Sequence, residues 1–124
     1  MAINTVRLEK EKQLIPFMRM RVYLKMKLTN NQKKYLRSIA HDLKPFVMVG
    51  QNGLSDSVLA EIDSTLLKHE LIKIKLRVDD RDLKQNIIER IMEFSHSQLV
   101  QVIGGVLVIY RPFDDNPDII LPRS

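Results

Sequence analysis

The sequence predicts a single α/β domain built on a mixed four-stranded sheet packed with helices, and three observations predict it. Apolar residues recur at helical spacing in three separate segments, Leu71–Val78 alternates with period two, and Gly104-Gly105 joins two β-rich runs. In chain order the elements read helix, strand, helix, strand, helix, strand, strand. Strands separated by helices run parallel through right-handed crossovers and the final hairpin is antiparallel, so the sheet is mixed.

The first helix starts at Thr29, which makes a capping box with Gln32, and its apolar stripe is Tyr35, Leu36, Ile39, Ala40 and Leu43. Lys33, Lys34 and Arg37 fall largely off that stripe and give the helix a free cationic side. Pro45, which disfavours helix in the residue before it and lacks an amide hydrogen, is expected to stop it. Phe46–Val49, an apolar run between proline and glycine, reads as a strand buried on both faces. Gly50-Gln51-Asn52-Gly53-Leu54 follows, then Ser55 as N-cap and a second helix with Val58, Leu59, Ile62 and Leu66 on one side.

In the next strand Ile72, Ile74, Leu76 and Val78 point one way and Lys73, Lys75 and Arg77 the other. One face is buried there and the other is cationic, either free or beneath a covering helix or tail. Asp79, Asp80 and Asp82 favour the start of a third helix, whose apolar positions Leu83, Ile87, Ile88, Ile91, Met92 and Phe94 end near Ser95. Leu99–Ile103 and Val106–Tyr110 flank Gly104-Gly105, where a two-residue primed turn calls for positive φ at both central residues. The tail beyond Arg111-Pro112 is either an edge segment or frayed. Tyr35 and Tyr110 sit in apolar patterns and read as core residues with a wet hydroxyl.

Composition narrows the function. A chain of 124 residues suits one core without a metal or disulfide staple. The lack of cysteine excludes disulfides, thiolate metal sites and cysteine nucleophiles, and fits a reducing compartment, so a cytoplasmic location is expected. No apolar run approaches the ~18–20 residues of a membrane span, and the charged first 25 residues lack a secretory apolar stretch, so no membrane association is expected. The formal net charge of +5 is unevenly spread: residues 1–53 hold 11 Lys/Arg against three acids, net +8, and residues 54–124 hold nine against 12, net −3. Such asymmetry would orient the molecule in the field of a polyanion.

The loop Gly50, Gln51, Asn52, Gly53 lies between a strand and a helix N-terminus, where glycines admit close backbone approach and helix amides favour an anion. Without the later glycine of a dinucleotide fingerprint or the Gly-Lys-Ser/Thr of a P-loop, it does not suggest a nucleotide cofactor. Lys33, Lys34, Arg37 and Lys44 are candidates to flank the loop with phosphate contacts. His41, His69 and His96 stand apart, each near a helix end, and do not suggest a metal site. Glu61 and Asp63, two apart on a helix, make no acid/base pair. No cofactor, no small-molecule substrate and no catalytic residue is expected.

Four stretches, LTNNQKKYLRSIAHDLKP, VMVGQNGL, HELIKIKL and VQVIGGVLVIYRP, resemble in order and spacing the CRM domain in its single-domain bacterial YhbY-like form. The resemblance spans Met26 to about Pro122. It implies a fold like the C-terminal domain of translation initiation factor three and a glycine loop comparable to that of KH domains, which clamps the RNA backbone. It implies, further, association with ribosomal RNA in large-subunit precursors; a non-enzymatic monomer is expected. The RNA-binding role then falls on Gly50, Gln51, Asn52 and Gly53, with Lys33, Lys34, Arg37 and Lys44 as adjoining surface. Residues 1–25, with six basic and two acidic side chains, stand outside the resemblance as a basic extension: a disordered arm, an RNA-binding tail or the product of an upstream start. The alternative is a protein-interaction module that reaches the ribosome through a ribosomal protein.

Overall fold

A computed structural model describes residues 27–124, and the readings of residues 1–25 fall outside the described residues. The elements are α1 (Asn30–Ala40), β1 (Val47–Val49), α2 (Asp56–Lys68), β2 (Leu71–Leu76), α3 (Arg81–Ser95), β3 (Gln98–Ile103) and β4 (Val106–Tyr110). They follow the expected order. The sheet order is β1-β2-β4-β3, with β1 parallel to β2 and β4 antiparallel to both β2 and β3. The α3 crossover therefore makes β3 parallel to β2, and the hairpin folds β4 back into the gap between them.

Two layers of helix enclose the sheet. Ile72, Ile74 and Leu76 pack with Ile62 and Leu66 of α2 and with Ile87 and Ile91 of α3. On the opposite face Leu36 and Ala40 of α1 join Leu71, Val100, Val108 and Tyr110. Period-two alternation in β2 and β4 splits their residues between these two cores.

The caps behave as the sequence predicts. Thr29 Oγ1 accepts from the Gln32 amide while Gln32 Oε1 accepts from the Thr29 amide, and Asp80 Oδ1 accepts from the amides of Asp82 and Leu83. His41, His69 and His96 are the C-caps of the three helices, His96 in the left-handed region at φ 52°.

Several expectations need correction. The helix α1 ends at Ala40, well before Pro45: two short i→i−3 turns follow, and the Leu43 carbonyl, excluded from the helix, accepts from Lys73 Nζ at 2.9 Å. The strand β1 is not buried on both faces, because it is an edge strand that α1 does not cover. Val47 and Val49 face the core while Met48 is 53 % exposed, and Phe46 lies outside the strand, stacked on His69. Tyr35, Leu83 and Phe94 are exposed rather than core, each at the margin of its helix stripe. In the hairpin only Gly104 has positive φ, 60°. Gly105 is needed for a different reason: its carbonyl accepts from the Leu76 amide, and a Cβ there would lie 2.6 Å from the Leu76 carbonyl oxygen.

The tail forms no strand, and it is tied down. Glu70, 3 % exposed, accepts from the amides of Phe113 and Ile119 at 2.7 Å each. Ile119 and Leu121 then reach the α1-side core, and Gln32 Nε2 donates to the Pro122 carbonyl at 2.8 Å. Beside it, the buried Arg111 guanidinium donates to Asp63 Oδ1 at 2.9 Å and to the Ser95 carbonyl at 2.8 Å, joining the end of β4 to α2 and to the last turn of α3.

Arg111→Met is expected to lower the unfolding free energy in urea by about 2–4 kcal/mol, because it strips the Ser95 carbonyl and the Asp63 carboxylate of a shared buried donor. A second expectation concerns alkaline pH. Burial, with a smaller contribution from the Glu70 carboxylate, pushes the Tyr110 hydroxyl from 10.0 up to about 12. The unfolded chain releases that proton first, so between pH 10 and 12 the folded state binds more protons and stability falls as pH rises. Urea titrations across that window should show the Tyr110 share of the fall vanish in Tyr110→Phe.

Candidate functional site

The loop Gly50–Gly53 sits where β1 ends. The Val49 carbonyl accepts from the Arg77 amide at 2.8 Å, which continues the β1–β2 ladder to the residue before Gly50. The chain then closes on itself, the Gly53 amide donating to the Gly50 carbonyl at 2.9 Å. Gly53 has φ 82°, a conformation that a Cβ disfavours, whereas Gly50 is outside the left-handed region and has open space where a Cβ would go. The two glycines are therefore not equivalent.

Gln51 Nε2 donates to Asp79 Oδ2 at 3.1 Å, bracing the loop against the β2–α3 connection, and Asn52 is exposed at its tip. The first turn of α2 is largely self-sufficient: Ser55 Oγ accepts from the Val58 amide at 3.2 Å and Asp56 already places a carboxylate there. An anion at this loop would meet the loop's own backbone rather than an uncapped helix end.

The cations that the sheet brings to the loop come from β2. Lys75 pairs in register with Met48, and Arg77 bonds to Val49. Ile74, Leu76 and Val78 point into the α2–α3 core, so Lys75 and Arg77 lie on the α1 face, where Lys73 also projects. Successive members of this row are separated by about 6–7 Å along the strand.

Lys73 links the row to a groove of about 650 Å³ between α1 and the β3–β4 hairpin. Lys34, Arg37 and His41 line its helix side, Lys73 and Gln101 its sheet side, with no carboxylate among the lining residues. Of the α1 residues singled out from the sequence, the structure brings Lys34 and Arg37 into this groove. Lys33 is half-buried and Lys44 is exposed beyond the helix end, and neither lines it. His41, Lys73 and Gln101 are additions. The alternation of β2 had marked Lys73, but nothing in the sequence told which helix would lie over it.

The fold and this cation-lined face describe a small α/β domain with a basic surface beside its sheet. A family model for the CRS1 / YhbY (CRM) domain matches residues 28–111, and the chain belongs to that family. It is 48 % identical over 97 residues to the "RNA-binding protein" of Haemophilus influenzae, a match covering 78 % of this chain and 97 % of that one. It is 39 % identical over 95 residues to "Probable RNA-binding protein YqeI" of Bacillus subtilis, covering 77 % and 99 % respectively. The solution structure of a Staphylococcus aureus protein, named as a candidate RNA-binding protein, superimposes with a TM-score of 0.67 at 42 % identity, over 77 % of this chain and 100 % of that one.

The inequality of the loop glycines is testable by denaturation. Gly53→Ala is expected to cost about 1–2 kcal/mol through its positive φ, and Gly50→Ala well under 1 kcal/mol.

Proposed function

We propose that this protein is a non-catalytic RNA-binding factor of ribosome assembly, cytoplasmic and monomeric, which associates with ribosomal RNA of large-subunit precursors. The loop Gly50–Gly53 grips the RNA backbone, and the cations of β2 and α1 widen the footprint. The observation that carries this reading is the run of positive side chains from the loop to the groove: Arg77 just past β2, Lys75 and Lys73 on β2, then Lys34 and Arg37 on α1. The β2 ladder and the Arg77–Val49 bond fix the backbone positions of the first three, so their spacing is set before phosphate binds. Membership of the CRM family and the names of the relatives support RNA over other polyanions.

Binding of the full chain to ribosomal RNA fragments across a salt series tests the proposal. Affinity should fall steeply with salt, and Lys75→Gln/Arg77→Gln should shallow the log–log slope by about 0.7 per lost single-strand phosphate contact. Gly50→Asp, which the open space at that position accommodates, should weaken binding about tenfold or more. A folded protein with no salt-sensitive RNA affinity would overturn the reading.

A second reading has one observation in its favour. The edge strand β3 leaves Leu99 and Val102 exposed on its α2–α3 face and Ile103 exposed on its α1 face, an apolar edge that a protein strand could cover by edge pairing. Nuclease treatment of ribosomal particles separates the two. Association through RNA is lost, and association through a ribosomal protein persists.

A further inference from the structure

The polar residues that border the groove from α1 and its C-cap are Lys34, Arg37, Ser38 and His41, at i, i+3, i+4 and i+7 along one helical stripe, with the buried Ala40 beside them. A helix laid flat on a sheet closes the interface with apolar residues along the stripe nearest the strand. Here Leu36 and Ala40 close α1 on the sheet, but the stripe beside them is polar and cationic, and the sheet wall it faces carries Val106, Val108 and Ile103 along with Lys73 and Gln101. Val108 lies at depth, Val106 is half-buried, and Ile103 is 64 % exposed at the mouth. Packing alone does not account for cations facing valines across open space.

We propose that this groove receives one unpaired nucleotide of the bound RNA, its base laid on Val106 and Ile103 and its phosphates held by Lys34, Arg37 and Lys73. The proposal rests on the RNA-binding reading and adds a second, base-receiving site to it. The groove volume of about 650 Å³ lies within the usual range for small-ligand sites. Charge complementarity selects a phosphate-bearing occupant, since every ionisable side chain lining the groove is a base. A site for phosphate alone would have no use for an apolar floor; a nucleobase does, as it presents a flat apolar face and a hydrogen-bonding edge. Gln101, on the floor side, carries an amide that can both donate to and accept from such an edge. The Arg37 guanidinium supplies a planar surface for stacking as well as a charge. Lys73 is fixed for its role, because its ammonium spends one proton on the Leu43 carbonyl at 2.9 Å and keeps two for a ligand.

Unpaired RNA should therefore be preferred over duplex, through the groove rather than through the loop. The test is a methyl and amide NMR titration of the full chain with three probes: a single-stranded octaribonucleotide of mixed sequence, the same strand annealed to its complement, and inorganic phosphate. The expected result is that the methyls of Ile103, Val106 and Val108 and the Gln101 side-chain amide shift with the single strand, and about tenfold more weakly with the duplex. Phosphate alone should leave those methyls unmoved. Two variants on opposite walls, Ser38→Glu on α1 and Ile103→Asp on β3, should each lower single-strand affinity about tenfold while the Gln51 and Asn52 amides still respond at saturation. The proposal is overturned if those loop amides shift with both RNAs while the groove methyls stay still, an outcome that leaves the RNA-binding reading intact. If neither loop nor groove responds to RNA, that reading falls and this one with it. Displacement of the octaribonucleotide from the loop but not from the groove by Gly50→Asp would support two separable sites.

Discussion

The strict alternation of β2 sets the terms for the rest of the molecule. Because a strand's side chains have period two, Ile72, Ile74 and Leu76 must enter one layer together and Lys73 and Lys75 the other. The apolar row calls α2 and α3 onto its side, where it is sealed at 0–3 % exposure. The lysine row cannot be sealed in the same manner, since burying unpaired ammonium groups is costly. The helix α1 accordingly covers only part of that face: the turn after it gives Lys73 the Leu43 carbonyl, and a groove is left beside the helix. The same strand pairs with β1, which ends in the glycine loop, and with β4, whose hairpin presses Gly105 against Leu76. A one-residue slip of β2 would exchange the two faces and lose both layers at once.

Two buried charges then fix the periphery. Arg111 collects Asp63 and the Ser95 carbonyl, so the exit of β4, the helix α2 and the C-terminus of α3 share one guanidinium. Glu70 holds the backbone of the tail by two charge-assisted bonds of 2.7 Å. The tail does more than trail from the sheet: Ile119 and Leu121 complete the core beneath α1, and its last residues bond to Asn31 and Gln32. The helix that bears Lys34 and Arg37 is thus positioned partly by residues near the far end of the chain.

These constraints put loop and groove on a common scaffold while giving them different physics. The loop is short, braced through Gln51 to Asp79, and depends on backbone; a single positive φ at Gly53 sets its shape. The groove depends on side chains and combines an apolar floor with a basic rim. Between them runs the row of Lys73 and Lys75 on β2 and Arg77 just past it, whose spacing is set by extended backbone rather than by flexible side chains.

Much of this was legible in the sequence, because periodicity and capping are local. The capping box at Thr29, the Asp80 cap, the alternation of β2 and the pairing of the two strands around Gly104-Gly105 each depend on neighbours a few residues away, and each appears as expected, although only Gly104 takes the positive φ expected of both. The errors share one cause. Tyr35, Phe46, Met48, Leu83 and Phe94 were read as core from residue type and period, but whether an apolar residue is buried depends on what lies across from it, and edges are left open. Proline marks only the last place where α1 could end; the chain leaves the helix at Ala40 through two i→i−3 turns, and the Leu43 carbonyl beyond them accepts from Lys73, 30 residues away in sequence, a partner that no local rule supplies. The amino-acid order by itself determined which residues could form helix or strand and where the glycine loop would fall, since those are choices of backbone dihedral and nearest-neighbour side chains. Only the tertiary structure decided that β4 would insert between β2 and β3, that the tail would lock onto Glu70, and that Lys34, Arg37 and Lys73 would face one groove. Those outcomes depend on side chains distant in sequence meeting across a shared core, which no single segment encodes.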